Sequence, residues 1–240
     1  MPKLLILLMV SACLSGCFTR SISNSGYQEN PHYRSTSNPF YRGELSEFNV
    51  LGIDPEAKYS DKQIQDALQN AKAKLSIKRG DKLLVVQSGA LMPDEPMIES
   101  LEKYFQVTPF TGIPESDKKS NLSYSSSLRY SAAQAGIRKM FVYWGTLESG
   151  TKNLATKTVS WVPIVGWGIP DEAQEMRIRI KAALVDVGTG QWEIFTPKVS
   201  NDNRVSNSIN RESSDQNQVS LLKQQAYKDS VDTLLQRFSL

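Results

Sequence analysis

The stretch from Glu175 to Val187 constrains the fold most. Met176, Ile178, Ile180, Ala182 and Leu184 alternate there with Arg177, Arg179 and Lys181. A period of two marks a strand with one buried and one wet face, because successive side chains leave a strand on opposite sides. Gly188-Thr189-Gly190 follows as a turn, and Gln191 to Thr196 returns as the antiparallel partner.

Helical segments elsewhere can cover the apolar face. Ser60-Asp61-Lys62-Gln63 is a capping box that opens a helix. Ile64, Ala67, Leu68, Ala71 and Leu75 share one face of it. Lys78 to Asp81 is a turn, and Leu83 to Val86 is a continuous apolar run, the mark of a buried strand. Met92 to Pro96 opens a second helix with Asp94 as its cap and Met97, Ile98, Leu101, Tyr104 and Phe105 as its core face. Gln106 to Phe110 reads as a short strand, and Thr111 to Ser127 as a polar loop. Leu128 to Gly136 is a short Ala-rich helix ending at a glycine. Lys139 to Trp144 is a strand, and Lys198 to Gln216 a mobile polar loop. A last helix from about Val219 to Phe238 carries a stripe of Val219, Leu222, Ala226, Leu234 and Phe238, with Val231 and Leu235 alongside. This order predicts a single α/β domain: helices packed on a mixed sheet with a long antiparallel hairpin and a C-terminal helix.

Composition excludes several classes. No apolar run approaches the roughly 20 residues of a membrane-spanning helix. The only His is His32 and the only Cys are Cys13 and Cys17, too few for a four-ligand zinc site or a disulfide scaffold. The 28 basic and 25 acidic residues give +3, too balanced for a nucleic-acid footprint. No cofactor or metal is expected.

The N-terminus is a targeting segment. Lys3, the apolar run Leu4 to Val10 and the small residues that follow form a secretory signal. Leu14-Ser15-Gly16-Cys17 resembles the lipobox of bacterial lipoproteins. The resemblance implies cleavage between Gly16 and Cys17 and acylation of Cys17, with residues 1–16 removed. Two or three acyl chains hold a protein on a membrane far better than one. In Gram-negative members an Asp after the Cys favours inner-membrane retention. Phe18 stands there instead, which implies an outer-membrane lipoprotein facing the periplasm.

Residues 17–43 read as the lipidated end and a flexible arm, rich in Ser, Asn and Arg, with Pro31 and Pro39. As a coil this arm spans on the order of 30 Å. Tyr27, Tyr33, Phe40 and Tyr41 lie among Arg20, Arg34 and Arg42 in it, as does His32. The folded domain then covers 44–240.

The segments Ala135 to Gly145 and Ala183 to Gly190, in this order of elements, resemble the α/β domain of curli-secretion lipoproteins, penicillin-binding-protein-activator lipoproteins and the TolB N-terminal domain. The likeness spans roughly 78–238. It implies a role in envelope assembly or regulation, and it brings no catalytic residues with it.

The residues offer little chemistry of their own. A His-based triad is unavailable to the domain, and Gly166-Trp167-Gly168 lacks the third glycine of a dinucleotide fingerprint. Ser116 and Lys119 have a Ser-x-x-Lys spacing but lie in a polar loop. Asp94, Glu95 and Glu99 suit helix capping better than a catalytic acid pair, and Asp186 suits a turn hydrogen bond. The segment from Ser160 to Pro170 stands out, because it joins two strands without one charged residue. Its Trp161, Val162, Ile164, Val165, Trp167 and Ile169 form a flap over the core, a protein contact or a lipid-interface insertion. The sequence thus predicts a non-enzymatic accessory or assembly protein, anchored by lipid and binding an envelope protein partner. The competing readings are an acid-pair hydrolase acting on cell wall or lipid, and a self-associating envelope oligomer.

Overall fold

The computed structural model describes residues 18–25, 38–71, 75–114, 121–153, 172–198, 200–206 and 211–239. Seven described strands form one mixed sheet: β1 (Phe18–Ser21), β2 (Lys82–Gln87), β3 (Gln106–Phe110), β4 (Lys139–Asn153), β5 (Glu172–Asp186), β6 (Trp192–Phe195) and β7 (Ser200–Ser206). Five described α-helices accompany it: α1 (Glu47–Leu51), α2 (Asp61–Asn70), α3 (Glu95–Glu102), α4 (Asn121–Gln134) and α5 (Arg211–Phe238). The strand order is β3-β2-β4-β5-β6, with β1 on the outer part of β4 and β7 on the outer part of β5. β2 runs parallel to β3 and β4, and all other pairs are antiparallel. β3 is an edge strand, where a sheet tolerates a proline such as Pro109.

The β4–β5 ladder runs in one register from Lys139 opposite Asp186 to Asn153 opposite Glu172. The alternation read in the sequence sorts its side chains. Met176, Ile178, Ile180, Ala182 and Leu184 join Leu83, Val85, Phe141 and Tyr143 under α3 and α5. Ala183 and Val185 join Leu84, Val86, Met140, Val142 and Trp144 under α1 and α4. β2 is buried on both faces, which explains its unbroken apolar run. The α5 stripe is buried as expected, from Val219 to Phe238, and a fully buried side chain of this kind contributes about 1.5–3 kcal/mol. Among the described residues no helix is long and apolar enough to cross a membrane.

Several elements differ from the sequence reading. α4 starts at Asn121, inside the expected polar loop. Its buried Ser125 lies against Gly52 at the end of α1, where a Cβ would meet the Ser125 hydroxyl at 3.2 Å. Close helix packing thus recruits a serine that propensity assigns to a loop. β4 continues nine residues past Trp144, because pairing with β5 supplies the hydrogen bonds that the polar sequence there does not advertise. β7 and the first turns of α5 lie within the expected 198–216 loop. The capping box of α2 forms, with the Ser60 N–H donating to Gln63 Oε1 at 2.9 Å. Its apolar face is not buried, however: Ile64 and Leu68 are exposed, and of the expected stripe only Leu75, beyond the helix, reaches the core.

The largest difference concerns the arm expected over 17–43. In its described parts it belongs to the domain. β1 pairs Phe18 with Ser149 and Ser21 with Thr146. A 3-10 turn at Ile22–Asn24 then drives Ile22 into the core at 1% exposure. Gly145 makes room for it, since a Cβ there would lie 2.4 Å from Ile22 Cδ1. An isolated apolar residue in a polar run has no periodicity, so nothing in the sequence flags it.

Candidate functional site

In parallel α/β sheets, ligands bind at the carboxyl ends of the strands. Here that position lies beyond β2, at Gln87, Ser88 and Gly89. Gly89 turns the chain with φ +79°, and a Cβ there would strike the Tyr41 ring at 2.7 Å. Gln87 and Ser88 are both buried. Gln87 Oε1 accepts from the Tyr143 hydroxyl at 2.5 Å and from the Asp94 N–H at 2.7 Å. Gln87 Nε2 donates to Ser23 Oγ at 3.0 Å, and Ser23 Oγ donates to the Ser88 carbonyl at 2.6 Å. Ser88 Oγ accepts from the Leu45 N–H at 2.7 Å. Asn38 closes over this with a bond from Nδ2 to the Ser23 carbonyl at 3.0 Å. The chain's own N-terminal strap therefore fills the crevice.

The acids proposed from sequence take structural places around it. Asp94 is the N-cap residue of α3, but its side chain caps nothing. Its carboxylate accepts instead from Lys223 Nζ at 2.9 Å and from the Tyr227 hydroxyl, both on α5. Lys223 also donates to the Ser25 carbonyl at 3.2 Å, so one ammonium ties strap, α3 and α5 together. Tyr143 packs edge-on against Tyr227, with centroids 5.8 Å apart. Burial, and then the charge of Asp94, push the Tyr143 phenol well above its ordinary value, so it stays a neutral donor to Gln87. Glu95 and Glu99 face solvent. Asp186 holds the hairpin turn: Oδ1 accepts from the Thr189 N–H at 2.8 Å and its hydroxyl at 2.9 Å. Lys139 Nζ donates to Oδ2 at 2.5 Å. Burial raises the Asp186 pKa, but Lys139 and the Thr189 bonds outweigh it and leave it lowered.

An open cleft of about 520 Å³ lies on the other side of the strap. Tyr41, Glu44, Glu47, Trp144, Arg179 and Lys181 line it, from the 41–47 segment, β4 and β5. Glu47 pairs with Lys181, and the Tyr41 hydroxyl donates to Glu44 at 3.2 Å. Trp144 is pinned by its indole N–H to the Leu45 carbonyl at 2.8 Å. Only the fold brings these residues together; sequence spacing carries no sign of it. Among the described residues, no group of three His, Cys, Asp or Glu is placed to hold a metal ion.

A third feature is apolar. α2 presents Ile64 and Leu68, one turn apart, at 48% and 61% exposure, and Tyr59 lies exposed just before it. Of the other residues singled out from sequence, Gly16, Cys17, His32, Ser116, Lys119 and the whole of 160–170 lie outside the described residues. That includes Trp161, Val162, Ile164, Val165, Trp167 and Ile169.

A family model described as YafT bacterial lipoprotein matches residues 46–237. Comparison with curated proteins finds no match. Among solved structures, the chain is similar to a PelC dodecamer, a point variant from Paraburkholderia phytofirmans, at 16% identity. That likeness covers 64% of this chain and 92% of that one, with a TM-score of 0.25.

Proposed function

Since this chain belongs to the YafT family of bacterial lipoproteins, we propose that it is a non-catalytic accessory protein of the cell envelope that binds another envelope protein. Lipoproteins are held at a membrane by their acyl chains. The proposal places the acyl chains on Cys17 after removal of 1–16, and the protein at the outer membrane facing the periplasm, because Phe18 and not Asp follows the Cys.

The observation that carries the binding reading is the α2 stripe. An amphipathic helix normally turns its apolar side to the core. α2 turns Ile64 and Leu68 to solvent, and exposed apolar patches mark interaction sites. Asp94 and Asp186 are spoken for by Lys223, Tyr227, Lys139 and Thr189, which weighs against an acid-pair hydrolase.

In-cell photo-crosslinking from a photoreactive residue at Leu68, with a second at Trp167, tests this. A discrete heavier adduct at position 68 supports a protein partner and identifies it by mass. An adduct of twice the chain mass points to self-association instead. Lipid or no adduct at both positions overturns the binding reading.

A further inference from the structure

The structure removes the spacer between lipid and domain. Phe18, which follows the proposed acylation site Cys17, is already in the sheet opposite Ser149. Consecutive Cα atoms are about 3.8 Å apart, so an acyl anchor on the preceding residue is tied to the level of the Phe18–Ser149 pair. The acyl chains must lie in the bilayer, which puts that level at the lipid headgroups.

The hairpin does not end there. β4 and β5 remain paired for four more residues, to Asn153 opposite Glu172. At about 3.3 Å per residue this extends about 13 Å past Ser149. The headgroup layer of one leaflet is only about 6 Å thick. A sheet standing upright would push its paired end through that layer into hydrocarbon, so the sheet must lean and lay one face along the surface.

Charge and packing decide which face. The side carrying Met176, Ile178 and Ile180 is covered by α5, whereas α1 and α4 cover the other side only farther along, over Ala183 and Val185. That other side carries Arg177, Arg179 and Lys181 in a row at every second residue, the two arginines half exposed. Among the described side chains, Glu148 serves both arginines and Glu47 serves Lys181, so these three cations share two carboxylates. We infer that the β4–β5 hairpin seats this basic face on the anionic headgroups of the membrane that holds the lipid anchor. β1 then acts as a rigid bracket that fixes the orientation of the domain. The inference rests on acylation at Cys17.

The test uses the full lipidated chain in vesicles of phosphatidylglycerol and phosphatidylethanolamine. With Cys17 acylated, an introduced cysteine is the only free thiol of the mature chain. One label replaces Asn201, opposite Arg177 in β7. The other replaces Glu193, opposite Leu184 and seven residues farther along β5. A contact quencher carried on lipid headgroups should quench the label at 201 several-fold more than that at 193. The difference should shrink when R177A and R179A are combined, or in purely zwitterionic vesicles. It should vanish when a long Gly-Ser insert separates Cys17 from Phe18. Even quenching at both sites on a chain whose mass carries the lipid overturns the seating alone. A mass showing no lipid on Cys17 overturns the anchor reading, and the seating with it.

Discussion

At the scale of single residues, the molecule depends on close approaches that leave no room for a side chain. Gly112 is the sharpest. Its N–H donates to the Ala90 carbonyl at 2.8 Å and its carbonyl accepts from Gly89 at 2.9 Å, so it lies flat against the turn after β2. A Cβ there would fall 1.8 Å from the Gln87 carbonyl oxygen, a backbone atom with no freedom to withdraw. Gly112→Ala should cost about 3 kcal/mol or more, read as a lowered urea midpoint at unchanged slope. Asp186 makes a different prediction. Its folded pKa is lowered from 3.8, so its bonds to Lys139 and Thr189 stabilise the fold fully above the unfolded value. That stabilisation disappears as pH falls through the lowered value. Asp186→Asn should therefore be less stable than the parent near neutral pH, and the gap should close in acid. A parallel offset at every pH in a series of thermal melts would contradict this.

At the scale of elements, α2 is the informative case. Its capping box makes it a helix from local sequence alone, while its apolar face makes no use of the core. The two properties should separate on mutation. Ser60→Ala removes the cap and should cost about 1 kcal/mol of local helix stability, read as faster amide exchange across 61–70. Leu68→Glu should change global stability by less than about 0.5 kcal/mol, because an exposed side chain has little packing to lose. It should nevertheless abolish crosslinking from a neighbouring position. A cost of several kcal/mol for Leu68→Glu would mean that the face is covered after all. α3 shows the reverse relation. Asp94 stands where a cap belongs, yet its carboxylate serves α5, so tertiary contact has taken over a side chain that local chemistry claims.

At the scale of the whole molecule, the N-terminal strap decides where the domain begins. A soluble chain starting at Glu44 follows the boundary that composition suggests. It would lose Ile22 from the core and leave Gln87 and Ser88 without Ser23. Removing a buried Ile side chain costs about 2–5 kcal/mol, and an orphaned buried polar group about 1–3. The chain starting at Glu44 should unfold at clearly lower urea than one starting at Phe18. Equal midpoints would show that the strap adds nothing to the fold.

Periodic features were legible in the residues themselves. The alternation of 176–184, the run 83–86 and the stripe from Val219 to Phe238 each repeat a chemical choice at the spacing of a strand or helix, and each is buried accordingly. The resemblance of Leu14 to Cys17 to a lipobox is legible for a similar reason, being a contiguous pattern. What escaped the sequence were contacts made once, between residues far apart in the chain. Ile22 against Gly145, Ser23 against Gln87, Ser125 against Gly52 and Lys223 against Asp94 have no period, and each depends on two segments meeting. The 520 Å³ cleft and the pairing of β1 with β4 are built from such meetings. Local chemistry chose the helices and strands. The way they close on one another turned an apparent arm into a strand and set an expected cap to bridging two helices.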